Sequence, residues 1–217
     1  RLFPGQQATF DAALSASLAQ ITDGDAKTQG LEVGREVAAK LFELRKTDGA
    51  AAKAEYSFGT GPGVYQKTTP MNALPVLPHW RYVKPFVLTS ATQFSPPEGP
   101  ALGSAAFAKD FNEVKKMGAR NSKSRTSEQT AIALFWAGSE IPPLNIVARA
   151  MSSSKNLGVV ENARLFAYLN MAIADSLIAG FEAKYKLNAW RPITAIRGAA
   201  SAGNRALVAD ASWEPLM

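Results

Sequence analysis

Two cations stand seven residues apart late in the chain, and a proline follows the second. They are Lys184 and Arg191, with Pro192 next. On a helix of 3.6 residues per turn, this spacing puts both side chains on one face, roughly 10 Å apart along the axis. Because proline lacks a backbone N–H and restricts the residue before it, we expect the helix to end or kink at Arg191. An arginine fork beside a lysine charge suits a tetrahedral oxyanion, so the pair predicts one wall of an anion site.

Predicted α-helices around one extended stretch position this pair. Apolar residues recur at helical spacing, and Ser104 and the capping-box pattern of Thr126 to Gln129 mark two helix starts. The longest predicted helix has apolar residues around most of its circumference, so we expect other helices to bury it. Pro192 is expected to open one further short helix. The predicted helices cover residues 6–21, 27–46, 104–118, 126–138, 142–154 and 159–187.

The extended stretch is rich in proline. Eight of the 13 prolines fall between Pro62 and Pro100, which prevents a long helix there. The sequence therefore predicts an all-α chain forming one incomplete helical domain over residues 1–217. Its expected parts are a helical hairpin at 1–56, a Pro-rich extended wrap at 57–103, and a helical part at 104–217 that carries the cation pair.

Lys184 lies on the continuation of the apolar stripe of the longest helix, where a cation needs an anion. A bound oxyanion would supply one. The rival interpretation is structural ion pairing, with Asp175 pairing with a basic residue such as Arg149 or Arg164. Phe181 and Trp190 could form walls of the site, but aromatics at helical spacing are more often ordinary core residues, which is the favoured interpretation.

The pattern Lys-x6-Arg-Pro at Lys184, Arg191 and Pro192 resembles the first signature of the type 2 phosphatidic acid phosphatase and vanadium-dependent haloperoxidase superfamily. The resemblance implies a helical bundle of the vanadium haloperoxidase and soluble acid phosphatase type. It also implies vanadate as the cofactor, or phosphate in the same oxyanion site. Lys184 then matches the residue that polarises bound peroxide, and Arg191 one that holds the oxyanion. Further segments resemble the soluble bacterial haloperoxidase-related branch, at residues 125–129, 135–136, 161–167, 170–175, 190–197 and 204–216.

The superfamily's other two signatures, Pro-Ser-Gly-His and Ser-Arg-x5-His-x3-Asp, are absent from these 217 residues. The single histidine, His79, has the wrong context for either and is expected to be a packed surface residue. We therefore expect this chain to be the N-terminal portion of an enzyme, with the axial histidine ligand coming from a C-terminal fragment or a second chain that carries both signatures. No metal ligand is expected from this chain.

Three functions remain open at this point. The first is peroxide-driven halide oxidation by a vanadium-dependent haloperoxidase. The second is phosphomonoester hydrolysis by a soluble acid phosphatase of the same superfamily, through a histidine outside this chain. The third is a non-catalytic helical interaction protein with a remnant site. The substrates of the first two are small molecules, namely peroxide and halide, or a phosphoester.

Composition limits which binding partners and which cellular compartment are expected for this chain. The net charge is +6, and the basic residues around Lys115 and Arg125 are interrupted by acidic ones, so no nucleic acid is expected. No run of eighteen apolar residues occurs, so no membrane span is expected. There are no cysteines, hence no disulfides. A chain opening at Arg1 is expected to be secreted or periplasmic after signal removal, with a cytoplasmic location and a homo-oligomer left open.

Overall fold

The computed structural model describes residues 3–68, 70, 72–138 and 141–217, and their regular secondary structure is helical apart from two isolated β-bridges. Short 3-10 turns occur at Pro4–Gln6, Trp80–Tyr82 and Ala199–Ala202. The predicted all-α fold is confirmed. The α-helices of the described ranges are α1 (Gln7–Leu18), α2 (Asp25–Arg45), α3 (Ala105–Gly118), α4 (Ser127–Phe135), α5 (Ile141–Lys155), α6 (Val159–Leu187) and α7 (Pro192–Arg197).

Local sequence signals place several of these helices correctly. The Ser104 hydroxyl caps α3 by accepting a hydrogen bond from the Phe107 N–H at 3.1 Å. Thr126 and Gln129 form both hydrogen bonds of the predicted capping box at the start of α4. Within its described residues, the Pro-rich stretch 57–103 holds no α-helix; its regular structure is the 3-10 turn Trp80–Tyr82 and one β-bridge residue, Val64. Caps and prolines act on their immediate neighbours, so their effects can be predicted without knowledge of the tertiary structure.

The chain divides into two compact units, residues 1–48 and 49–217. In the described part of the first unit, neither α1 nor α2 buries any of its residues. Ion pairs between residues one helical turn apart stabilise α2 locally, for example that between Lys40 and Glu36 at 2.6 Å. Apolar positions that periodicity predicts as core, such as Val37 and Leu41, are exposed. The division into parts ending at residues 56 and 103 stays a prediction.

The core of the second unit forms between α3, α7 and the last residues of the chain. Trp213 links them, since its indole N–H donates to the Lys115 carbonyl at 2.9 Å and its own carbonyl accepts from the Arg197 Nε at 2.9 Å. This core fixes α7, the helix that follows Arg191 directly. The buried residues of the cluster are Ala108, Phe111, Ala195, Ile196, Ala199, Leu207 and Trp213.

Helix α6 packs against α5 and against the 3-10 turn Trp80–Tyr82. Only one of its faces is buried, at Asp175, Ile178, Glu182 and Tyr185. The prediction that α6 is buried on most sides is therefore wrong for this chain, because the described elements cover that face alone. By length and composition alone α6 would also suffice to cross a membrane, a test that core helices of soluble proteins pass as well.

Candidate oxyanion site

Buried polar groups on one face of α6 anchor the helix to the extended stretch. The Asp175 carboxylate is 4% exposed and accepts hydrogen bonds from the backbone N–H groups of residues 86–88 at 2.6–2.9 Å. Two turns later, Glu182 forms a bidentate ion pair with Arg81 at 2.7 and 3.1 Å. The Tyr185 hydroxyl donates to a backbone carbonyl of the same stretch. These contacts fix the rotation of α6 about its axis.

The opposite face of α6 carries Lys184. At 100° per residue, Gly180, Lys184 and Leu187 lie about 120–180° around the helix from Asp175. The anchored face and the Lys184 face therefore point in nearly opposite directions. Gly180 adds no side chain one turn before Lys184, and a Cβ at that position would meet nothing within 4 Å. This leaves open space beside the lysine side chain.

Helix α6 ends at Leu187 because Asn188 takes the left-handed conformation, with φ 48° and ψ 34°. Asparagine tolerates this conformation better than most residues, and its N–H still bonds to the Lys184 carbonyl at 3.1 Å. The following residues are extended up to Arg191, which caps α7 with φ −75° and ψ 153°. Pro192 is the first residue of α7, as predicted. Lys184 and Arg191 thus do not share one helix, and the expectation based on helical spacing is wrong on that point.

A short antiparallel bridge instead holds the segment that carries Arg191. The Tyr65 N–H donates to the Asn188 carbonyl at 2.8 Å, and the Trp190 N–H donates to the Gly63 carbonyl at 3.0 Å. Gly63 has φ 81°, and a Cβ there would lie 3.1 Å from a Leu102 methyl group, so glycine suits this position. The pairing sets Tyr65 and Arg191 side by side, with the guanidinium carbon 5.4 Å from the ring centroid.

The structure brings Lys184 and Arg191 together in one cleft of about 300 Å³, hereafter the cation cleft. Trp190 lines the cation cleft, in agreement with its interpretation as a wall of the site, and it also packs against the core. Phe181 does not line the cleft, but its ring centroid lies 5.3 Å from the Lys184 ammonium. The residues that line the cation cleft are Tyr65, Gly180, Ala183, Lys184, Leu187, Ala189, Trp190, Arg191 and Pro192.

The two cations face aromatic rings and no acid. Among the described residues, no carboxylate lies within ion-pair distance of Lys184 or Arg191. The Lys184 ammonium lies 5.0 Å from the Tyr185 ring centroid. Burial, and secondarily the charge of Arg191, lowers the pKa of Lys184 below the usual lysine value. Cation–π contacts contribute only about 0.5–2 kcal/mol, so two positive charges remain without a counter-charge in the described structure.

Tyrosines form part of this site that sequence reasoning missed. The rings of Tyr56, Tyr65 and Tyr185 lie close together, with centroids 5.0 Å apart for Tyr56 and Tyr185 and 5.8 Å apart for Tyr56 and Tyr65. The Tyr56 hydroxyl donates to the side-chain oxygen of Asn188, which supports the end of α6. Burial is the main cause that raises the pKa of both Tyr56 and Tyr185. The alternation of the aromatic residues Tyr56 and Phe58 in an extended segment was the sequence signal that could have indicated this aromatic cluster.

The other sequence-predicted candidates lie elsewhere. Asp175, the rival partner for a basic residue, has its carboxylate held by the three peptide N–H groups described above. His79 does not line the cation cleft; its Nε2 is 3.2 Å from the Ala50 carbonyl oxygen, and its ring lies 5.8 Å from that of Trp80. No cluster of three or more metal-ligating side chains occurs in the part of the chain that the structure describes.

Comparison with known proteins shows what this chain is similar to. Residues 164–217, which include both cations, match a family model described as the VCPO second helical-bundle domain. A solved bacterial structure, described as the first bacterial vanadium-dependent iodoperoxidase, has a TM-score of 0.71 and 28% sequence identity to this chain. Both findings support the vanadium haloperoxidase superfamily for this chain. The structural match covers 88% of the chain and 48% of the iodoperoxidase, so the chain spans about half of that relative's length. No curated protein matches it.

The iodoperoxidase is described as vanadium-dependent, and the cation cleft offers a test of whether vanadate would fit this chain. Two cations that have no carboxylate partner among the described residues, beside small residues such as Gly180 and Ala183, suit a tetrahedral oxyanion. Arginine presents a planar fork of donors, and Lys184 adds a compact charge. The donor set of the cation cleft therefore fits the oxygens of vanadate or phosphate.

Proposed function

We propose that Lys184 and Arg191 bind the oxyanion of a vanadate-dependent haloperoxidase. The observation that carries the proposal is that the two cations share a cleft and have no carboxylate partner among the described residues. Lys184 is partly buried whereas Arg191 is exposed, so the cost of desolvating an unpaired charge falls on Lys184, and a bound anion would reduce it. The lowered pKa of Lys184 is a second sign of the same imbalance, since an anion in the cleft would raise it again.

Each residue of the cation cleft then has a role. Lys184 donates from its ammonium group to one side of the oxyanion, and Arg191 donates its fork of N–H groups to another. Tyr65 limits the motion of the Arg191 guanidinium by lying against it, and Trp190 keeps water from one wall. Bound vanadate would supply the activation of hydrogen peroxide toward a halide ion. Lys184 would hold its positive charge against the oxygens of the bound anion, and that charge is partly desolvated there.

We propose that the histidine that would bind vanadate comes from outside this sequence. His79 is the single histidine of the 217 residues and does not line the cation cleft. The iodoperoxidase is about twice as long as the matched region. We therefore propose that a second polypeptide segment carrying Pro-Ser-Gly-His and Ser-Arg-x5-His completes the site. Exposed apolar residues on α4, α5 and α6, such as Phe135, Ile146 and Tyr168, offer surface for such a segment.

The test is reconstitution. The chain is mixed with a polypeptide that carries the two histidine signatures, and iodide and bromide oxidation are followed with orthovanadate and hydrogen peroxide. We expect oxidation only when both polypeptides and vanadate are present, and a loss of at least a hundredfold with Lys184→Met. Lys186→Met, two residues further along α6, is the matched control and should retain activity.

The same mixture distinguishes the rival functions. Hydrolysis of a phosphomonoester, inhibited by vanadate and without halide oxidation, would replace the haloperoxidase by an acid phosphatase. Stable association of the two polypeptides without either activity would favour the non-catalytic interaction protein. Both results would contradict the proposal.

A further inference from the structure

Asn188 joins the two segments that carry the cations. Its backbone N–H bonds to the Lys184 carbonyl at 3.1 Å, and its own carbonyl accepts from the Tyr65 N–H at 2.8 Å. Its left-handed backbone is the point at which the chain leaves α6 and turns onto residues 63–65. Because Lys184 precedes this turn and Arg191 follows it, the geometry of the turn sets the separation of the two cations in the cation cleft.

The side chain of Asn188 is held by Tyr56, a residue that does not line the cation cleft. The Tyr56 hydroxyl donates to the amide oxygen of Asn188, although 132 positions separate the two residues in sequence. Burial raises the pKa of Tyr56, so the hydroxyl keeps its proton and remains a donor at neutral pH. A left-handed residue other than glycine persists where surrounding contacts fix it, and this hydrogen bond is such a contact.

Aromatic rings hold Tyr56 in place on both sides of the turn. Its ring centroid lies 5.0 Å from that of Tyr185, the residue next to Lys184, and 5.8 Å from that of Tyr65. Aromatic rings at such separations pack in defined geometries. Tyr65 in turn lies against the Arg191 guanidinium. Tyr56 therefore packs against a neighbour of each cation, and its hydroxyl is aimed at the turn between them.

We propose that Tyr56 is a positioning residue for the oxyanion site, acting through Asn188 on the separation of Lys184 and Arg191. The role in anion binding rests on the proposed function, whereas the effect on the position of Arg191 does not. With the hydroxyl in place, the turn is fixed before the anion arrives. Without it, the Arg191 segment has more conformations to lose on binding, so the anion binds less tightly.

The first test removes the hydroxyl and keeps the ring. Tyr56→Phe retains the aromatic packing but has no donor for Asn188. Calorimetric titration with orthovanadate should show an affinity weakened by about fivefold, the scale of one neutral hydrogen bond. Tyr82→Phe removes a hydroxyl from an exposed ring and is the matched control, with unchanged affinity expected. An affinity that is unchanged in Tyr56→Phe would overturn the inference, because the hydroxyl would then serve stability alone.

The second test asks whether Tyr56 acts through Asn188. Asn188→Gly keeps the left-handed backbone accessible but removes the side chain that accepts from the tyrosine. The two changes should therefore not add, and Tyr56→Phe should have no further effect on orthovanadate affinity in the Asn188→Gly background. Losses that add in the double variant would overturn this route.

The third test follows the position of Arg191 without any anion. Its guanidinium carbon lies 5.4 Å from the Tyr65 ring centroid, so its Nε–H proton should carry a ring-current shift that Tyr65→Leu removes. In NMR spectra of the free chain, this shift should decrease in Tyr56→Phe and Asn188→Gly and persist in Tyr82→Phe. An unchanged shift in Tyr56→Phe would overturn the inference. A decrease supports it even if the wild-type chain binds no orthovanadate, a result that would refute the proposed function alone.

Discussion

The three hydrogen bonds that backbone N–H groups donate to Asp175 allow one prediction to be worked out in detail. Asp175→Asn keeps the shape of the side chain but replaces one carboxylate oxygen by an amide group that cannot accept hydrogen bonds. Oδ2 accepts from the N–H groups of Val87 and Leu88, and Oδ1 accepts from that of Phe86. The better rotamer of asparagine therefore keeps two bonds and leaves the Phe86 N–H facing a second donor.

The magnitude follows from the charge of the lost acceptor. A hydrogen bond to a charged group contributes about 1.5–3 kcal/mol, and a neutral one about half as much. One lost bond and two weakened ones give a decrease of about 3–6 kcal/mol in the free energy of unfolding. The site is only 4% exposed, so water does not replace the lost acceptor.

The assay is urea unfolding followed by circular dichroism, with Asp110→Asn as the control on the exposed surface of α3. The control should change the free energy of unfolding by less than about 0.5 kcal/mol. A change of similarly small size in Asp175→Asn, at an unchanged dependence on urea, would refute the reasoning, because the carboxylate would then not anchor α6.

Three further predictions concern the cation cleft and the core. Lys184→Met should not lower the free energy of unfolding. Because the pKa of Lys184 is lowered, the stability of the wild-type chain should rise with pH between that pKa and the usual lysine value. Urea unfolding measured across this pH range should show that the rise is lost in the variant. The raised pKa of Tyr185 keeps its proton on the folded chain, so stability should fall as pH rises above the ordinary tyrosine pKa, and less steeply in Tyr185→Phe. Trp213→Phe, which loses the bond to the Lys115 carbonyl, should cost about 1–3 kcal/mol in the same unfolding measurement, and an unchanged stability would contradict the structure of the core.

The sequence predicted what local chemistry determines. Ser104, Thr126 and Pro192 act on the residues next to them, so the starts of three helices could be predicted from single positions. The predicted range of the longest helix, residues 159–187, also matches α6, because its apolar periodicity runs without interruption over that range.

Contacts distant in sequence could not be predicted in this way. Tyr56 meets Asn188, and Arg81 meets Glu182, across about a hundred residues, and no local pattern encodes such pairs. The relation between Lys184 and Arg191 shows the same limit. The spacing suggested one helical face, whereas the left-handed Asn188 ends the helix and the bridge to residues 63–65 returns Arg191 to the cleft.

Direct anion binding is the measurement that tests the central claim. Isothermal titration calorimetry with orthovanadate, and separately with phosphate, compares the wild-type chain with Lys184→Met, Arg191→Gln and the control Lys186→Met. The account predicts saturable binding of one anion per chain, weakened at least tenfold, or about 1.4 kcal/mol, in the first two variants and unchanged in the third. Absence of saturable binding by the wild-type chain, or an equal loss in Lys186→Met, would contradict the assignment of Lys184 and Arg191 as an oxyanion site.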